Sequence, residues 1–197
     1  MALIFGRKGT GKTTVMKRWG QEALKAQKPV LVIDELNNFN LISLTVREND
    51  SGKLLQAIKE RRSFRITSGD RNFQTNAILL AFAAGNYVVA CDEADKLFGR
   101  DMPIPLQRIF LRARNQGIDF ILATLRPHRI AVDVRNQADV IICFSLVNKT
   151  ALDALANEFG NAELSERVKG LTGHQYARYD VNKNVLTTFL NKNKKTA

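Results

Sequence analysis

The sequence predicts an α/β fold, a mostly parallel central sheet flanked by helices and finished by a C-terminal β-hairpin, and three observations carry that reading. Short apolar runs rich in β-branched residues alternate with amphipathic stretches, as expected of parallel strands covered on both faces. One such run, 2–5 (ALIF), leads directly into GRKGTGKTT at 6–14, which fits the pattern G-x-x-x-x-G-K-[ST] through Gly6, Gly11, Lys12 and Thr13. Another, 87–92 (YVVACD), ends in Asp92 and is followed at once by Glu93.

The Gly-rich loop sits between a strand and a helix, the context in which such a loop cradles phosphates. Gly6, Gly9 and Gly11 allow the backbone N–H groups to turn inward, with Arg7, Lys8, Thr10 and Thr14 completing the cradle for ATP. Lys12 has the reach for the β- and γ-phosphates, and the Thr13 hydroxyl is a Mg²⁺ ligand type. An acidic-tipped buried strand is the expected second nucleotide motif: Asp92 holding Mg²⁺ through water, and Glu93 orienting and deprotonating an attacking water. The adjacent Glu favours hydrolysis over transfer to a small acceptor, because only hydrolysis requires a base for water.

The remaining elements follow in order. Residues 13–27 place Val15, Trp19, Ala23 and Leu24 on one helical face, and Lys28-Pro29 ends that helix. Residues 29–34 (PVLVID) read as a buried parallel strand opening into a polar loop with Asn37, Asn38 and Asn40. Residues 51–61 read as a helix with Leu54, Leu55 and Ile58 inward, 63–67 as a short strand, and 72–84 as a helix closed by Gly85-Asn86. Lys53, Lys59, Arg61, Arg62, Arg65 and Arg71 form a basic stretch that suits either phosphate-backbone contact or a solvated helix face. Residues 96–105 read as a loop and 106–115 as a helix carrying Arg108, Arg112 and Arg114, stopped by Gly117. The strand 118–124 is expected to insert between the acidic-tipped strand and the phosphate-loop strand, which would set Thr124 beside the γ-phosphate as its sensor. A strand at 140–147, helices at 148–159 and 162–171, and a hairpin of 175–181 with 184–189 across Asn182-Lys183 complete the reading. It gives a single domain over 1–190 and a basic tail, 191–197, expected to be disordered.

Composition narrows the classes. Thirty Lys and Arg against 19 Asp and Glu give a formal charge of +11, which points to a polyanionic partner such as nucleic acid. Cys91 and Cys143 each lie in an apolar strand-like run, so neither a disulfide framework nor a zinc spacing is present and a reducing cytoplasm is expected. His128 and His174 are isolated, with no Cys at ligand spacing, and read as ordinary surface or loop residues rather than metal ligands. No run of 18 or more apolar residues occurs, and the chain begins with its first strand, which predicts neither a membrane span nor a leader.

These residues resemble the FtsK and HerA superfamily of DNA-pumping ATPases, including the small genome-packaging ATPases of membrane-containing icosahedral viruses. The likeness is most specific where VVACDEAD is followed by ARNQGIDFILATLRP, within 87–127. It implies a RecA-like core with an additional strand and a catalytic Glu, assembled as a ring, usually a hexamer, that threads double-stranded DNA using ATP. It also implies that a neighbouring subunit supplies an arginine in trans, for which Arg114 and Arg126 are the candidates. Two departures are visible. Leu125 replaces the family's sensor Gln, leaving γ-phosphate sensing to Thr124 or another polar group, and no anchor, linker or DNA-orienting domain accompanies the core. The second departure favours the viral branch, with host cytoplasm and virion vertex as locations and a capsid or portal-vertex protein as a further partner. Other classes consistent with a phosphate loop are a small kinase, against which Glu93 and the basic charge stand, and a non-motor ATP-dependent interaction protein, such as a helicase loader or phage assembly factor.

Overall fold

The computed structural model describes residues 1–190, so the expected disordered tail and its Lys192, Lys194 and Lys195 lie outside the described residues. Its sheet is built from β1 (Ala2–Phe5), β2 (Val30–Ile33), β3 (Thr45–Val46), β4 (Phe64–Ile66), β5 (Val88–Cys91), β6 (Asp119–Thr124), β7 (Val140–Phe144), β8 (Gln175–Asp180) and β9 (Val185–Leu190). The spatial order is β3-β4-β2-β5-β6-β1-β7-β8-β9. Pairing is parallel from β3 through β7, and β8 and β9 are antiparallel. As expected, β6 is inserted between β5 and β1, with Phe5 opposite Thr124.

The central strands are apolar on every residue because both faces are covered. Alternate side chains divide between two cores: Leu3, Phe5, Leu31, Ile33, Val89, Cys91 and Leu122 face one way, and Ile4, Val30, Val32, Ala90, Ala123 and Ile142 the other. The second face is covered by α1 (Lys12–Lys25), through Val15 and Met16, and by Phe39 and Ile42 of the polar loop. The first face is covered by α2 (Ser51–Lys59), α3 (Arg71–Ala84), α4 (Ile104–Phe110), α5 (Val132–Asn136), α6 (Lys149–Asp153) and α7 (Ala162–Lys169). Both cysteines are free and buried.

Several sequence expectations are corrected. In α2 Leu54 and Ala57 are buried and Ile58 packs partly buried against the core, as expected for Leu54 and Ile58, whereas Leu55 is 56% exposed, because the inward stripe runs through 54, 57 and 58. The expected helix at 106–115 begins earlier, at Ile104, where Pro105 in the first turn has no N–H to lose. It then gives way to a 3₁₀ turn, Ala113–Gln116, whose Ala113 carbonyl accepts from Ile118 N at 2.9 Å and so swings the chain into β6. The expected helix at 148–159 is α6 followed by a π-helical turn, Ala154–Glu158. β3 and α5 carry too few residues to show a period and were not anticipated. The hairpin loop spans 181–184, with Asn184 in the left-handed region.

The basic stretch is largely structural. Arg61 donates to the carbonyls of Ala84 and Gly85 and lies over Tyr87, Arg65 donates to Thr45 Oγ1 and Phe39 O, and Arg71 pairs with Asp101.

Candidate functional site

The C-terminal edge of the parallel strands is where the chemistry gathers, since β1, β2, β5 and β6 all run toward it. From β1 the chain turns through the phosphate loop into α1. Gly11 caps that helix at φ 111, a conformation that strains any residue with a Cβ. A Cβ on Gly6 would lie 2.7 Å from both Phe144 Cβ and Thr10 Oγ1, so the start of the loop has no space for one. Thr10 is tied inside the loop by its hydroxyl, which donates to Arg7 O at 2.8 Å. The first turn of α1 contains no acidic residue, so its positive end faces the loop unneutralised.

Lys12 donates to Gly6 O at 2.8 Å and to Arg7 O at 3.0 Å, both carbonyls of its own loop. Burial lowers its pKa, partly offset by Asp92 and Glu93. A partly desolvated ammonium held by two carbonyls gains strongly from a phosphate oxygen. A cavity of about 190 Å³ opens over Gly9, Gly11, Lys12, Thr13 and Thr14.

Asp92 follows β5 and meets the loop directly: Thr13 Oγ1 donates to Asp92 Oδ2 at 3.1 Å. A hydroxyl and a carboxylate converging on one spot are hard oxygen donors of the kind that fits Mg²⁺. Glu93 lies in the left-handed region at φ 51, ψ 41, unusual for a residue with a Cβ and of the kind concentrated at functional sites. Its N–H is held by Asp92 Oδ1 at 3.0 Å, and its carboxylate is 2.6 Å from Lys96 Nζ.

Thr124, at the tip of β6, is 2% exposed. Its hydroxyl donates to Asp95 Oδ1 and accepts from Arg126 N at 3.1 Å. Asp95 also faces Arg126 Nε at 3.5 Å, which makes it the point where Thr124 and Arg126 are joined. Leu125, at the position of the family's Gln, is 45% exposed. Arg126 thus stands on the nucleotide edge. Arg114 does not: it pairs with Asp139 at 2.5 Å, just before β7 and at the opposite edge of the sheet.

Four residues of the site were not singled out from the sequence. Asp95 and Lys96 come just after the acidic motif, and Glu35 stands two residues past β2 as Glu93 stands two residues past β5, which is a usable signal. Lys96 bridges Glu35 and Glu93, each at 2.6 Å, while Gln74 supports Glu35 at 3.1 Å. The fourth is His174, which the sequence presents as an ordinary surface or loop residue rather than a metal ligand. Its Nδ1 lies 3.2 Å from Thr10 O, and it lines the phosphate-loop cavity. Because a carbonyl oxygen only accepts, Nδ1 carries the proton, and the histidine steadies the loop from the start of the hairpin.

No family model matches the chain, and no curated protein matches it. Solved structures do. The genome packaging NTPase B204 from Sulfolobus turreted icosahedral virus 2, in complex with AMPPCP, superposes with a TM-score of 0.81 at 22% identity, covering 98% of each chain. The same NTPase in complex with ATP-gammaS gives 0.78 at 24% identity, covering 95% of this chain and 94% of that one. A more distant match is the N-terminal domain of zonular occludens toxin from Neisseria meningitidis, with a TM-score of 0.55 at 15% identity over 98% and 94% of the two chains. The resemblance to packaging ATPases read from residues 87–127 therefore extends to the fold of nearly the whole chain.

Proposed function

We propose that the chain is an ATPase that translocates double-stranded DNA, packaging a viral genome, and that it works as a homo-oligomeric ring, a hexamer. The observation that carries this is the meeting of the phosphate loop, the Thr13–Asp92 pair, Glu93 and Thr124 on one sheet edge. It occurs in a chain whose fold matches that of genome packaging NTPases from end to end.

The backbone N–H groups of the loop and of α1 bind the β- and γ-phosphates, and Lys12 moves from the Gly6 and Arg7 carbonyls onto them. Thr13 and Asp92 would hold Mg²⁺, which neutralises phosphate charge when bound. Glu93 takes a proton from the attacking water as the water oxygen bonds to the γ-phosphorus and the bond to the ADP oxygen breaks. For this Glu93 must exchange its Lys96 partner for water. The open edge leaves room for a neighbour's arginine, Arg126 or Arg114, and the +11 charge suits sequence-independent grip on a phosphate backbone. Host cytoplasm and virion vertex, with a capsid or portal-vertex partner, belong to the same proposal; among the described residues no helix is long and apolar enough to cross a membrane.

The test is ATP hydrolysis with and without duplex DNA at low salt. Stimulation of severalfold or more is expected. Hydrolysis indifferent to DNA would move the chain to the class of non-motor interaction proteins, and absence of hydrolysis would remove the ATPase reading.

A further inference from the structure

Beside the nucleotide edge lies a larger cavity, about 620 Å³, lined by Asp95, Lys96, Arg100, Asp101, Arg126 and Arg129. Its carboxylates are already engaged: Asp95 by Thr124 and Arg126, and Asp101 by Arg71 at 3.0 Å. Two of its guanidiniums are held loosely or not at all. Arg100 reaches only Glu158, at 3.6 Å and while 69% exposed, and Glu158 is also taken by Arg135. Among the described residues no carboxylate pairs with Arg129. The adjacent His128 feels this field: burial first, then Arg129, Arg100 and Arg126, hold its imidazole below its ordinary pKa.

These arginines do not sit on loose loops. Gly99 and Ile130 form a β-bridge, Arg100 N donates to Arg129 O at 3.1 Å, and Ala131 N donates to Phe98 O at 3.0 Å. Phe98 is fully buried against Phe110 and Phe120. A Cβ on Gly99 would lie 2.4 Å from Asp95 O of its own turn and 3.4 Å from Arg129 O of the other loop, so the backbone here has no space for one. Guanidinium forks held in place around an open cavity suit a phosphate group.

Lys96 connects this cavity to catalysis, because the same ammonium lines it and binds Glu93 and Glu35. We propose that the cavity is a second phosphate-binding site, taking a backbone phosphate of duplex DNA, and that the phosphate draws Lys96 away from Glu93, so that DNA contact frees the carboxylate that activates water. The proposal rests on the translocase reading and assigns its DNA contact and its coupling step.

The experiment pairs duplex binding, by anisotropy of a labelled random-sequence duplex over a salt series, with turnover. If the parent protein binds no duplex at low salt, the translocase reading itself fails. If it binds, Arg100→Gln with Arg129→Gln should weaken binding by about tenfold or more and lower the salt slope by roughly 1, at about 0.9 for the one lost phosphate contact. Lys53→Gln with Lys59→Gln, which removes the same charge from the exposed side of α2, should change both far less. Equal effects of the two pairs, or an arginine pair that binds duplex like the parent, overturn the site, including the case where only turnover falls and the phosphate belongs to a neighbour's nucleotide. Lys96→Met should raise turnover without DNA toward the stimulated rate and bring the stimulation ratio toward one. A DNA-free rate that is unchanged or lowered overturns the coupling.

Discussion

Replacing Thr124 by Val keeps the shape of the side chain and removes only its hydroxyl, so the outcome isolates the bridge that this hydroxyl makes. In the structure the hydroxyl satisfies two groups, Asp95 Oδ1 and the Arg126 N–H, at a residue 2% exposed. Each polar group left buried without a partner costs about 1–3 kcal/mol. Asp95 retains Arg126 at 3.5 Å, which softens its share. The sum is then about 2–4 kcal/mol, and with roughly 2–4 °C per kcal/mol for a chain of this size the melting temperature should fall by about 5–15 °C. Thr124→Ser keeps the hydroxyl and loses one buried methyl, about 1 kcal/mol, so its fall should be only a few degrees. Circular dichroism melts of the nucleotide-free proteins make the comparison. A Val variant within about 2 °C of the parent, or a Ser variant that falls as far as Val, refutes the bridge and leaves the hydroxyl as a γ-phosphate contact alone.

Three further outcomes follow from the site. Lys12→Ala should abolish nucleotide binding or turnover, whereas Glu93→Gln should bind ATP and stop hydrolysing it; calorimetry against turnover separates the two, and an active Glu93→Gln removes that residue as the base. His174→Ala should weaken ATP binding by roughly 2- to 13-fold, the worth of one net hydrogen bond, with little change in turnover at saturating ATP; a fall in saturated turnover with affinity intact would instead place His174 at the reacting atoms. Mixing Glu93→Gln subunits with Arg126→Ala subunits should restore part of the activity that each lacks alone, because one interface then pairs an intact base with an intact arginine. The same mixture with Arg114→Ala decides between the two arginines, and no recovery in demonstrably mixed rings returns both to roles within their own chain.

The features legible in the sequence are those written over short distances. The phosphate loop is a fixed spacing of Gly6, Gly11, Lys12 and Thr13, and the central strands appear as uninterrupted apolar runs because both of their faces are buried. Even the insertion of β6 beside β1 follows once Asp92-Glu93 is read as a strand tip. Elements too short to show a period, β3 and α5, were invisible, and the inward face of α2 was misread at Leu55 because its inward stripe runs through 54, 57 and 58. Tertiary structure alone decided the partners of each charge. Arg61 and Arg65 are spent on carbonyls of their own fold, and Arg114 is held at the edge away from the nucleotide. Asp95 joins Thr124 to Arg126, Lys96 binds Glu93 and Glu35, and His174 meets Thr10 across 164 positions of sequence. The physical reason is that motifs follow from local backbone geometry, whereas an ion pair depends on which strands the packed core sets side by side and in what register.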